Sequence, residues 1–150
     1  MTLKKGRRKT RPEAYFLDAN ILMYAAGSNH LLRDPCRGAL ERAVSERATL
    51  ITDSEVLQEI LYRYFSIRRP EAAGVVYHSA VRLCAEVLQV AEPHTARALE
   101  LLLNYPGISP RDAIHVATME GAGIRQILST DTDFDGFREV SRIDPADFLV

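Results

Sequence analysis

The sequence predicts a three-layer α/β/α domain on a central, mostly parallel sheet of four to five strands. Three observations point there. Short β-prone segments alternate with stretches of helical periodicity, which implies right-handed crossovers and a parallel sheet covered on both faces. Two of those β-prone segments lead into an aspartate, one directly and one through Ser129 and Thr130. The chain has 150 residues, 47% apolar and 26% charged, enough for one domain whose core needs neither disulfide nor structural metal.

Tyr15-Phe16-Leu17 reads as a buried strand ending at Asp18, and Asn20 to Ala26 as a short helix. Asp34 before Pro35 is an expected helix N-cap, with Ala39, Leu40, Ala43 and Val44 recurring behind it. Thr49 to Ile51 is β-prone. Thr52 with Glu55 matches a capping box that opens a helix through Val56, Leu57, Ile60, Leu61 and Tyr64 to about Ile67. Pro70 restarts helical periodicity as far as Leu83, with Gly74 as its weak point. Glu86 to Val90 reads as a strand, and Pro93 opens a helix ending before Tyr105-Pro106-Gly107. Ser109 caps the next helix, with Pro110 first and Asp112 third. Ala113, Ile114, Val116, Ala117 and Met119 make that helix apolar on most sides, hence central, and it stops at Gly121-Ala122-Gly123. Gln126 to Ser129 is a fourth strand, Asp131 to Gly136 an acidic loop, and Arg138 to Ile143 a short last strand.

The net charge of −1 conceals an asymmetry: six Lys and Arg precede residue 13 with no acid among them, and from Glu13 onward 13 basic residues face 20 acidic ones. Residues 1–14 are therefore expected to form a basic, flexible extension or nucleic-acid arm, and residues 15–150 the folded domain. No membrane span or signal-peptide core is found, since the longest apolar run is the six residues Ile21 to Ala26. Cys36 and Cys84 share no metal-ligand spacing and suit a reducing cytoplasm as buried thiols.

In parallel sheets, ligands bind outside the carboxyl ends of the strands, where Asp18 and Asp131 are expected. On neighbouring strands they face one cleft and repel unless a cation intervenes. Glu59 falls about 60° outside the core-facing arc of its helix, at the rim of the apolar face. Asp112 lies on the first turn of the central helix. Each has a plainer structural role available: Asp112 and Ser109 form a capping arrangement, Glu59 can pair with Arg63 at i,i+4, and Asp18 and Asp131 can cap turns. Four acids bordering the most apolar segments are costly when unpaired, however, and a divalent ion removes that cost. Oxygen-only ligands select Mg²⁺ or Mn²⁺, which attract a phosphodiester and activate water.

The segments Phe16-Leu17-Asp18-Ala19-Asn20, Thr52 to Glu59, Ser109-Pro110-Arg111-Asp112-Ala113 and Ser129 to Phe134 resemble, in order and spacing, the motifs of PIN-domain nucleases, above all the VapC-type toxins. The resemblance covers Tyr15 to the last residue. It implies a PIN-like fold in which Asp18, Glu59, Asp112 and Asp131 hold Mg²⁺ or Mn²⁺ for RNA cleavage. By the same resemblance Asn20 and Thr130 orient the acids or contact phosphate, and Asp133 assists the metal. It further implies a homodimer and a VapB-like cognate antitoxin whose C-terminal segment enters the acidic groove. The basic extension before Tyr15 departs from the family pattern.

Arg111 and Arg63 are candidate phosphate contacts and Tyr62 a candidate base platform, whereas Tyr64 is expected in the core. His30, His78, His94 and His115 show no paired spacing and are read as packing or surface residues. Aspartyl phosphoryl transfer also uses strand-end acids, but needs a lysine at the cleft, and no lysine follows Lys9. A nuclease acting on precursor rRNA or structured DNA, or a non-catalytic nucleic-acid-binding module, are the other readings.

Overall fold

The computed structural model describes residues 13–150, so the predicted basic extension falls almost wholly outside the described residues. The elements run β1 (Ala14–Leu17), α1 (Ala19–Ala26), α2 (Arg33–Ser45), β2 (Thr49–Asp53), α3 (Ser54–Ser66) and α4 (Pro70–Leu83). They continue with β3 (Glu86–Leu88), α5 (Glu92–Asn104), α6 (Pro110–Ala122), β4 (Gln126–Leu128) and β5 (Ser141–Ile143). The acidic loop is a 3₁₀ turn, Thr132–Gly136, and a second such turn spans Pro145–Asp147. No described helix is long and apolar enough to cross a membrane.

The strands form one sheet in the order β3-β2-β1-β4-β5, and every pairing is parallel. Burial on both faces explains why Phe16, Leu17, Ile51, Ile127 and Leu128 come from nearly unbroken apolar runs and are all buried. Register places Leu17 beside Leu128, so the residues that follow these strands emerge at one edge. The chain leaves β1 toward β2 and β3 on one side, while β4 and β5 lie on the other. The switch point therefore falls between β1 and β4, where a parallel sheet opens a crevice.

α6 is central, as its composition predicts: Ala113, His115, Val116, Ala117, Thr118 and Met119 are all buried. It ends on Gly123 in the left-handed region (φ 71°), with Ile124 N–H bonded to the Met119 carbonyl. Both cysteines are buried and reduced, and burial pushes each thiol up to about 12.

Two expected caps are displaced. α2 begins at Arg33 on Leu32, whose backbone is already helical, so Asp34 lies inside the first turn, paired with Arg33 at 3.6 Å. Asp34 then acts through the helix dipole instead of a capping hydrogen bond. At α3 the N-cap is Asp53, because β2 stays extended to pair Asp53 with Leu88. Thr52, inside the strand, donates its hydroxyl to the Leu17 carbonyl at 2.9 Å and forms no box with Glu55.

Gly74 does not interrupt α4, and a Cβ there meets nothing within 4 Å. Gly74→Ala is therefore expected to raise stability by about 0.5–1 kcal/mol, read as a higher urea midpoint at unchanged m.

Candidate active site

Asp18 leaves the end of β1 and caps α1, its Oδ1 accepting from Ala19 N–H at 2.8 Å. Its Oδ2 accepts from Ser129 Oγ at 2.6 Å and Asn20 Nδ2 at 3.0 Å. The Asn20 carboxamide also donates to Ser129 Oγ (3.1 Å) and accepts from Thr130 N–H (3.2 Å). Ser129 Oγ in turn accepts from Asp131 N–H at 3.0 Å. The ends of β1 and β4 are thus stitched together by short polar side chains. Asp131 caps the 3₁₀ turn, its Oδ1 accepting from Asp133 N–H at 2.9 Å.

Asp112 is brought in by α6, held at its first turn by Ser109, whose Oγ accepts from Asp112 N–H. Burial pushes its carboxyl up to about 7, reinforced by the charges of Asp131 and Asp18. Burial likewise raises Asp18. A folded-state value above the unfolded one gives stability that is full below about pH 4 and lost as pH rises through about 7. The melting temperature of chelator-treated protein is therefore expected to fall between pH 5 and 8, by an amount worth a few kcal/mol, and Asp112→Asn to flatten that fall.

Glu59 reaches the cluster from α3. Its Oε1 accepts from Arg111 at 3.2 Å, not from Arg63, so the i,i+4 surface pair does not form. Arg111 also lies 3.7 Å from Glu55, which occupies it with two carboxylates. Beneath Glu59 lies His115, 1% exposed, with Nδ1 2.8 Å from Asp53 Oδ2 and Nε2 3.8 Å from Glu59 Oε2. Thr118 donates to the same Asp53 oxygen at 2.8 Å, and Asp53 Oδ1 accepts from Val56 N–H. Burial opposes charge on the ring, but Asp53 and Glu59 hold His115 well above its ordinary value. His115 keeps Asp53 below the usual carboxylate range despite its burial. His115 is therefore a member of the acidic site's floor and more than a packing residue.

The four acids fall into two donor groups, coupled through the charge of Asp18 acting on Asp112. Donor atoms of Asp112, Asp131 and Asp133 lie within 4.8 Å of one another, as do those of Asp18, Glu59 and His115. Two participants escaped sequence reading. Asp53 follows the apolar run Leu50-Ile51 in the same way that Asp18 and Asp131 follow theirs, so the same signal marks it. Ser129 has no such signal, because a hydroxyl beside a strand end has many uses. Tyr64 packs in the core and Tyr62 is 63% exposed, as expected.

The PIN domain matches residues 15–140, most of the chain. The chain belongs to this family. This PIN domain is 36% identical over 127 residues to a VapC ribonuclease, Mb1869c, of Mycobacterium bovis, spanning 85% of this chain and 97% of the relative. It is 33% identical over 116 residues to ribonuclease VapC23 of Mycobacterium tuberculosis, spanning 77% and 91%. Among solved structures, Mycobacterium tuberculosis VapC20, a sarcin-ricin loop cleaving toxin, aligns with a TM-score of 0.67 at 22% identity, covering 84% of this chain and 98% of that one. A toxin-antitoxin complex from Klebsiella pneumoniae contains a chain that aligns at 0.63 with 16% identity, covering 87% and 97%. At those identities the likeness to VapC20 and to the Klebsiella chain is one of fold. The PIN sheet has five strands among the described residues, and all run parallel.

Proposed function

We propose that this protein is a divalent-metal-dependent endoribonuclease, the toxin of a toxin-antitoxin pair. The observation that carries the reading is that Asp18, Glu59, Asp112 and Asp131, from four separate segments, form two coupled acidic groups, of which the Asp112, Asp131 and Asp133 group has no ion-pair partner among the described residues. Asp112 is pushed up to about 7 there. Glu59 Oε2 and His115 Nε2 are buried without a hydrogen-bond partner.

Such a donor set fits a hard divalent cation. Asp112, Asp131 and Asp133 supply only oxygens, and Asp18 and Glu59 supply more, which favours Mg²⁺ or Mn²⁺. Bound by these acids, the ion would neutralise the cluster, lower the pKa of the attacking water and stabilise charge on the cleaved phosphodiester. The protein's part is positioning. Asn20 and Ser129 fix the Asp18 carboxylate in one orientation, and the Thr130 and Asp131 backbone is tied to the same network. Arg111 stands at the rim, where a substrate phosphate can compete for it with Glu55 and Glu59. The VapC ribonuclease relatives support RNA as substrate. The aligned toxin-antitoxin complex supports an antitoxin partner, and the family resemblance makes it a small protein whose C-terminal segment enters the acidic groove. The homodimer follows from the family resemblance, and Leu61, Tyr62 and Phe65 on α3 offer exposed apolar surface to it.

The test is cleavage of labelled single-stranded and hairpin RNA by partner-free protein with Mn²⁺, Mg²⁺ or EDTA. Cutting with either ion and none with EDTA is expected. Cutting that survives chelation overturns the metal-dependent mechanism, and RNA left intact while DNA is cut overturns the substrate.

A further inference from the structure

Beside the acids, a cleft of about 400 Å³ runs between α1 and the corner where α3 meets α4. Asn20 is part of its lining, and it is the residue whose carboxamide holds Asp18, so the cleft adjoins the acidic site through that side chain. Met23 and Tyr24 of α1 and Ile67 after α3 give it apolar walls. Arg63 and Arg69 also line it, with Tyr64 between them and Gly27 and Ser28 beyond α1. Both arginines sit around Tyr64, opposing the rise that burial gives its hydroxyl.

These two arginines differ from those already engaged by acids. Arg97, Arg111 and Arg142 are each engaged by at least two carboxylates. Neither Arg63 nor Arg69 has an ion-pair partner among the described residues, although the body carries an excess of acids. Arg63 lies one helical turn from Glu59 on α3. Arg69 is the N-cap of α4, its N–H bonded to the Tyr64 carbonyl at 2.8 Å. A substrate strand approaching an anionic cluster needs local cations to offset the repulsion, and unpaired guanidinium groups at a fixed corner supply them.

We propose that this cleft is the subsite for the single-stranded RNA flanking the cut, with Arg63 and Arg69 each taking a backbone phosphate and Met23, Tyr24 and Ile67 receiving a base. The assignment rests on the ribonuclease reading and names where that enzyme grips its substrate. The Arg63–Glu59 spacing on one helix then sets how far the gripped phosphate lies from the cleaved one.

The test uses the full chain, basic segment included, with Asp18→Asn to prevent cutting, and a fluorescein-labelled single-stranded RNA followed by anisotropy across a salt series in Mg²⁺. Loss of two phosphate contacts in Arg63→Ala/Arg69→Ala is expected to weaken binding by roughly tenfold or more near physiological salt. It should also reduce the slope of log K against log salt by about 1.4, that is about 0.7 per single-strand phosphate. The double lysine variant should keep most of the slope, because a point charge still neutralises phosphate. Arg82→Ala, at the far end of α4, should leave both quantities unchanged. An unaltered affinity and slope in the double alanine variant overturns the subsite while RNA binding by its parent leaves the ribonuclease reading standing. A parent that binds no RNA overturns both.

Discussion

Asp18→Asn is expected to lower RNA cleavage by on the order of 10³-fold or more while leaving the protein folded. Removing one carboxylate from the centre of the cluster costs several kcal/mol of charge stabilisation at the reacting phosphate, and each 1.36 kcal/mol is tenfold in rate. Folding is insulated because two effects offset. The amide gives up one of the three donors that converge on Asp18, from Ala19, Asn20 and Ser129. It also removes a charge whose burial raises its pKa and that repels Glu59 and Asp112. Stability at pH 8 should therefore change by no more than about 1 kcal/mol. Cleavage assays and thermal melts on the same preparations check both halves, and undiminished cleavage would sink the assignment of Asp18.

The largest effect on stability is expected from His115→Leu. Asp53 is 0% exposed, and without the ring its charge keeps only Thr118 and the Val56 N–H. Stranding one partner of a buried ion pair costs about 3–5 kcal/mol. For a chain of this size that is roughly 10 °C or more in melting temperature. His115→Leu/Asp53→Leu should recover much of the loss, since no buried charge is then left alone. The pH signs agree with a pair intact at neutrality. His115, raised, contributes stability that is full below its ordinary value and lost only as pH rises through the elevated one. Asp53, lowered, contributes stability present above its ordinary value and lost as pH falls through the depressed one. A single leucine variant as stable as the parent would show that the pair carries no such load.

Strand order aside, most of the architecture was legible in the sequence because its signals are local. Apolar runs marked the strands, proline at first helical positions marked α4 and α6, and the all-round apolarity of α6 placed it centrally. Asp18 and Asp131 were legible because a strand-end position in a parallel sheet is a functional position by geometry. The failures share a cause. Local pattern marks Asp34 and Thr52 as caps, but cap position depends on where the preceding segment stops, which pairing with β3 decides at Asp53 and the helical turn at Leu32 decides for α2. Glu59 was legible as a rim residue, yet its partner was not, since Arg111 and Arg63 compete for it and only the packing of α3 against α6 favours Arg111. His115 carries no local signal, because its meaning depends on Asp53, 62 residues away.

The sheet order has a kinetic consequence. Every strand pairing is between segments separated by a connection, and the central one joins Tyr15 to Gln126 across most of the chain. Pairings of such sequence separation form slowly, because the closure entropy of the intervening chain is spent before the contact repays it. Asp18 and Asp131 meet only when this pairing closes, so a collapsed intermediate containing β1, β2 and β3 would hold Asp18 and Glu59 without their counterparts. Nuclease competence should accordingly return with the slowest refolding phase, and the half-formed chain is harmless by construction.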